Sequence, residues 1–177
     1  IMPATGRRYL RVGQEVDERF DPFLAGEAAA TILRENHQML GTWPLALTGY
    51  NHGPYGVSRA VRTMGTTDIG IITARYTGPA FGFPSRTFYA EFLAALTLYE
   101  NRTHFFPEIQ PEPALDFEEF VAEHYVPARE LATHAAVDLD HLASLNPALA
   151  DEVWSGQLFL PAGYRLRVPK GHGETFR

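Results

Sequence analysis

The stretch Leu45-Ala46-Leu47-Thr48-Gly49-Tyr50-Asn51-His52-Gly53-Pro54 joins an apolar helical run to a Tyr-Asn pair, then to a glycine and a proline. Two readings of it stand side by side. In the first it is a helix end, with Asn51 and Gly53 in left-handed conformations and Pro54 opening the next helix. In the second it is a binding site. An asparagine amide offers two donors and a carbonyl acceptor, enough to read an acetamido or hydroxyl group. A tyrosine offers a flat apolar face with a polar tip, which suits a sugar ring.

Working outward, residues 27–40 carry Ala28, Ala29, Ile32, Leu33 and Met39 at helical spacing, and Gly41 ends the run. Helices follow at 45–51, at 54–64 and at 67–75, the last with Thr67 or Asp68 at its cap. Gly78-Pro79 and Gly82-Phe83-Pro84 break the chain. Ser85 then caps what reads as the longest helix, over 86–100, with Phe88, Phe92, Ala95, Leu96 and Tyr99 in one stripe. Pro107, Pro111 and Pro113 mark a linker. Beyond it the pattern changes: a strand over 120–127, helices over 128–136 and 138–145 with Asp138 at the second cap, and a closing strand over 164–169. The expected arrangement is therefore a mainly α chain: residues 1–106 as one helical domain, 107–118 as a linker, and 119–177 as a small α+β unit.

The 177 residues include 45% hydrophobic positions, enough for a normal core, and carry a net charge of −6. That balance argues against a nucleic-acid partner. Cysteine is absent, which removes thiol nucleophiles, disulfides and zinc knuckles. The seven histidines show no metal-ligand spacing, Gly53-Pro54-Tyr55-Gly56 lacks the lysine of a phosphate loop, and no serine has a nucleophile-elbow glycine pattern. No metal and no cofactor is expected. No apolar run approaches the ~20 residues of a spanning helix.

Several linked segments sharpen the reading. The chain opens Ile1-Met2-Pro3-Ala4-Thr5-Gly6-Arg7-Arg8-Tyr9, continues Val16-Asp17-Glu18-Arg19-Phe20-Asp21-Pro22 and Glu27-Ala28-Ala29-Ala30-Thr31-Ile32-Leu33, and reaches Tyr50-Asn51 through Trp43-Pro44-Leu45-Ala46-Leu47. In this order, over roughly residues 1–100, the chain resembles the lytic murein transglycosylase family, most of all the branch around membrane-bound lytic murein transglycosylase D. The resemblance implies a goose-lysozyme-like helical fold. It also implies cleavage of the MurNAc-GlcNAc β-1,4 bond of peptidoglycan with formation of 1,6-anhydro-MurNAc ends, and a place in the periplasm or at the outer membrane. In that family one glutamate is acid and then base, and it precedes the Met-Pro-x-Thr-Gly segment that here begins at Met2. The expectation is that this chain lacks the catalytic glutamate, is inactive alone, and partners with an upstream part of the same domain as well as with glycan strands.

Onto this chain the family's substrate contacts carry over as Met2, Tyr50 and Asn51. A further tyrosine before the last long helix corresponds to Tyr89 by residue type and to Phe88 by spacing. His52 stands where the family has a small residue, and reads as an exposed loop histidine. Glu15, Glu18, Glu27, Glu35 and Glu91 read as ion-paired, helix-terminal or solvated rather than as acids, because polar surroundings keep a carboxylate's pKa low. After the linker, Leu142, Leu145-Asn146-Pro147 and Leu166-Arg167-Val168-Pro169 resemble a βααβ LysM module, a peptidoglycan-binding unit. That family's early Gly-Asp pair is replaced by Pro127-Ala128-Arg129-Glu130-Leu131. The alternative function is a non-catalytic envelope module that binds glycan or a partner protein; a hydrolytic muramidase on the same fold is a third.

Overall fold

Asp21 starts the longest helix of the chain. Its Oδ1 accepts the backbone N–H of Phe23 at 2.9 Å and of Leu24 at 3.1 Å, and Pro22 occupies the first helical position, where no N–H is needed. In the computed structural model, which describes residues 1–176, helix α2 therefore runs Pro22–Leu40. The expected start at 27 is too late, and Glu27 lies inside the helix rather than at its N-terminus. The described chain is mainly helical with one two-stranded sheet. It divides into two units, one of residues 29–112 and one of residues 1–28 together with the chain from Pro113 onward.

The 29–112 unit holds the end of α2 and five further helices: α3 (Trp43–His52), α4 (Pro54–Met64), α5 (Ile69–Arg75), α6 (Phe83–Glu100) and α7 (Arg102–Phe105). Gly41 (φ +82°), Gly53 (φ +88°) and Gly65 (φ +63°) separate the helices with turns that a Cβ would strain. Asp68 caps α5 by accepting the N–H of Ile71, so of the two candidates Asp68 is the cap. The core is Leu40, Leu45, Val57, Ala60, Ile72, Tyr76 and Phe81. The buried Asn36 donates from Nδ2 to the Ala46 carbonyl at 3.2 Å, tying α2 to α3. Helix α6 begins earlier than expected, with Gly82 and not Ser85 at its cap. Every residue from Glu91 to Glu100 is exposed, so Phe92, Ala95, Leu96 and Tyr99 of the predicted stripe are not buried within this unit, and Phe88 is half-buried.

The other unit starts with α1 (Pro3–Gly6) and a 3-10 turn (Glu18–Phe20), and takes in the first turns of α2. Gly6 is buried where a Cβ would stand 2.9 Å from Arg19 Cδ. Arg19 in turn grips both carboxylate oxygens of Asp17, which holds the Asp17 carboxyl below the usual carboxylate range. The rest is β1 (Phe117–Val121), α8 (Ala128–His134), α9 (Leu139–Leu145), α10 (Asp151–Ser155) and β2 (Arg165–Pro169), closed by a 3-10 turn (Gly173–Phe176). The strands pair antiparallel, Phe117 opposite Pro169 and Phe120 opposite Leu166. β1 lies earlier than the expected 120–127, α10 was not anticipated, and Asp138 caps α9 through the His141 N–H as expected.

The grouping of residues departs from the expected 1–106, 107–118 and 119–177 division. The first 28 residues fold with the C-terminal segment. The Asp17 N–H donates to the Ala148 carbonyl at 2.7 Å, the Ala150 N–H donates to the Glu15 carbonyl at 3.0 Å, and Val16 joins Leu142, Leu149, Val153 and Leu166 in one core. Asp21, 2% exposed, receives the Arg167 guanidinium at 2.5 and 3.2 Å. These partners are more than 120 residues apart in sequence, which no local pattern reports.

Candidate functional site

Helix α3 delivers Tyr50, Asn51 and His52 as its last three residues. Leu45, Ala46, Leu47, Thr48 and Gly49 are buried, which fixes the helix. A Cβ on Gly49 would meet Leu40 Cδ1 at 3.0 Å and Pro54 Cα at 3.4 Å, so glycine lets the α3–α4 corner close tightly. Gly53 alone caps α3, its N–H donating to the Gly49 carbonyl at 2.8 Å. Asn51 is helical: among the described residues only Ala80 and Ala136 are non-glycine positions with positive φ. The left-handed asparagine of the capping reading is therefore absent, and the exposed Asn51 side chain is not spent on the helix end.

Around this corner the structure gathers side chains from α3, α4 and α6 and from the loop before α6. Tyr50 is half-buried and stacks on Phe88, ring centroids 6.3 Å apart and planes 22° apart; burial pushes its hydroxyl pKa up. His52 is half-buried at the end of a helix, not on an exposed loop. Its imidazole meets the edge of Phe81 at 4.8 Å and places Nδ1 3.0 Å from Ser85 Oγ. Burial, and then the Arg59 charge, lower the His52 pKa. Ser85, buried in the first turn of α6, donates from Oγ toward Asn51 Oδ1 at 3.4 Å. Phe81 packs edge-on against Tyr76 at 5.3 Å, and the Arg86 guanidinium lies 5.6 Å from the Phe81 ring while donating to the carbonyls of Thr73 and Tyr76.

Of the residues expected at the site, Tyr50 and Asn51 stand together, and Phe88 rather than Tyr89 makes the ring contact with Tyr50. Tyr89 is half-buried on α6. Met2 precedes α1 in the other unit and is 74% exposed. Ser85 and the buried face of His52 were not legible as a pair, because 33 residues separate them. No carboxylate contributes to the pKa shifts of Tyr50 or His52. Glu18 instead accepts the Arg11 N–H at 2.7 Å, and Glu91 is exposed. A cavity of about 710 Å³, lined among others by Phe120, Tyr125, Val126, Leu131 and Phe176, lies in the other unit. Among the described residues no group of three or more His, Asp or Glu could hold a metal ion, and no helix is long and apolar enough to cross a membrane.

Chemically, the corner offers neutral hydrogen-bonding groups beside an aromatic face. It can hold and orient a polar ligand. The imidazole of His52 gives the corner a pH signature. Because its folded pKa lies below the unfolded value of about 6.5, its contribution to stability is present above that pH and is lost as pH falls through the folded value. The melting temperature is expected to fall on acidification from pH of about 7 to about 5, and His52→Gln to fall less. Equal slopes for the two proteins would contradict this.

No curated protein matches the chain. Its first 72 residues, which run from Met2-Pro3 through the Tyr50-Asn51 corner to Ile72, match the family model of the transglycosylase SLT domain, and over that stretch the chain is similar to that domain.

Proposed function

We propose that this chain supplies part of the substrate site of a peptidoglycan lytic transglycosylase. The observation that carries the proposal is the match of residues 1–72 to the transglycosylase SLT domain, within which Asn51 stands exposed beside the Tyr50 ring. The reaction so implied breaks the MurNAc-GlcNAc β-1,4 bond. A protonated glutamate gives its proton to the glycosidic oxygen, then takes the proton of the muramic acid 6-hydroxyl as that oxygen attacks the anomeric carbon. The product is a 1,6-anhydro end, and no water is consumed. Such an acid needs a raised pKa. Tyr50 and Asn51 offer a ring face and an amide, neither of which is an acid, so their share is to bind and orient the glycan. The segment from β1 through α8, α9 and α10 to β2, with its sequence resemblance to LysM, is proposed as a second contact to the same polymer, and the bacterial envelope as the place of action.

A second reading, favoured by the neutral donors and acceptors of Asn51, Ser85 and His52, is a glycan-binding module without lyase activity. Product mass separates the readings wherever cleavage is seen: anhydro ends are one water lighter than hydrolysed ends. Binding is tested on the chain itself with a purified GlcNAc-MurNAc muropeptide. Asn51→Ala is expected to cost about 1–3 kcal/mol of binding free energy, the loss of one hydrogen bond to a polar group. Its melting temperature should stay near that of the parent, because Gly53 holds the helix end. An unchanged affinity with a clearly lowered melting temperature would make Asn51 a structural residue and remove the local support for the site. Absence of any binding by the parent chain would overturn the substrate-site reading.

A further inference from the structure

At the Tyr50-Asn51 corner the buried Ser85 hydroxyl lies between an imidazole and an amide. Ser85 Oγ is 3.0 Å from His52 Nδ1 and 3.4 Å from Asn51 Oδ1. A hydroxyl carries one proton. Given to Asn51 Oδ1, it leaves the Ser85 lone pairs to accept, so His52 must bring a proton on Nδ1. The chain of donors then runs His52 Nδ1–H to Ser85 Oγ–H to Asn51 Oδ1. The amide oxygen is thereby turned inward, and the amide nitrogen has no partner among the described residues.

The imidazole is held for this task. Phe81 meets it edge-on at 4.8 Å, with interplanar angle 77°. On another side it rests against α4 where only a glycine fits: a Cβ on Gly56 would stand 2.6 Å from both Cδ2 and Nε2 of His52. Ser85 is 5% exposed and its backbone sits in the first turn of α6, so the hydroxyl cannot wander to solvent.

We propose that Ser85, oriented by His52, is a positioning residue that presents Asn51 to the glycan as a hydrogen-bond donor, so that the site selects a ligand group with an acceptor oxygen such as the carbonyl of an N-acetyl group. This rests on the glycan reading of the corner. It adds that donor polarity is set behind the asparagine, by two residues that do not touch the sugar.

The test uses the whole chain, with N-acetylglucosamine tetramer as the probe. In the free protein, nitrogen-15 spectra should show neutral His52 as the Nδ1–H tautomer, and Ser85→Ala should shift the Asn51 side-chain amide pair. Ser85→Ala should weaken tetramer binding about fivefold to tenfold, the effect of one hydrogen bond, while Ser85→Thr, which keeps the hydroxyl, should stay within about twofold. Gly56→Ala pushes the imidazole away without touching Ser85 or Asn51, and should reproduce the amide shift. His52 found as the Nε2–H tautomer would overturn the proposal, since the donors would then run the other way. So would an Asn51 amide unmoved by both Ser85→Ala and Gly56→Ala. If the parent chain ignores the tetramer, the glycan reading falls, and the tautomer and amide measurements still decide the positioning role.

Discussion

Arg167→Met is expected to lower the melting temperature of the unit containing residues 1–28 by on the order of 15 °C. Arg167 is 9% exposed and forms a two-pronged pair with Asp21, itself 2% exposed. The guanidinium also lies 4.9 Å from the Phe23 ring and 5.0 Å from the Phe117 ring, and those rings meet edge-on at 6.2 Å. Removing one member of a buried ion pair leaves the other charge without compensation, at a cost of about 3–5 kcal/mol. Methionine keeps the apolar stem against the rings but supplies no donor. The neighbouring pair provides the control. Arg165 and Glu119 are 3.3 Å apart with side chains 74% and 45% exposed, so Arg165→Met should cost about 0–1 kcal/mol. Thermal unfolding of the two variants side by side checks the prediction; equal midpoints would show that the Asp21 pair is no anchor. Asp21→Ala should be at least as damaging as Arg167→Met, because Asp21 also caps α2.

Asn146→Ala is expected to cost about 3 kcal/mol, since it leaves buried backbone groups unpaired at about 1–3 kcal/mol each. The side chain is 1% exposed and fully used. Its Nδ2 donates to the carbonyls of Leu142 at 2.8 Å and Arg167 at 2.7 Å, and its Oδ1 accepts the Arg167 N–H at 2.8 Å. Asn146 therefore pins the end of α9 to the middle of β2. Thermal unfolding gives the total, and hydrogen exchange gives the location: the Arg167 amide should lose its protection. An Arg167 amide as slow in the variant as in the parent would refute the role. Because both predictions meet at Arg167, the double variant should cost less than the sum of the two.

How much of this was legible in the chain follows from how far apart the partners lie. Helix α4 runs over the expected 54–64 with Pro54 in its first turn, and the caps Asp68 and Asp138 each accept an N–H three residues on. These are short-range effects of backbone geometry and of orphan N–H groups, and a sequence displays them directly. β2 was legible for the same reason, through the alternation in Tyr164-Arg165-Leu166-Arg167-Val168-Pro169. The Tyr50-Asn51 pair could be singled out because helix, polar pair and glycine are contiguous.

The choice between cap and site was of another kind. It needed the φ of Gly53 and Asn51 and the hydroxyl of Ser85, which arrives from a different helix. Phe88 rather than Tyr89 faces Tyr50 because of how α6 is rotated, which spacing within one helix cannot fix. The early start of α2 followed from Asp21, a residue whose Oδ1 caps the helix while its carboxylate is buried against Arg167, 146 residues away. Residues 1–28 join the C-terminal segment for that reason. Local sequence determined the bounds of α4, the caps of α5 and α9 and the closing strand, and singled out Asn51. Tertiary structure decided which segments share a core and which side chains stand behind Asn51, because burial and ion pairing act between residues that the chain itself keeps far apart.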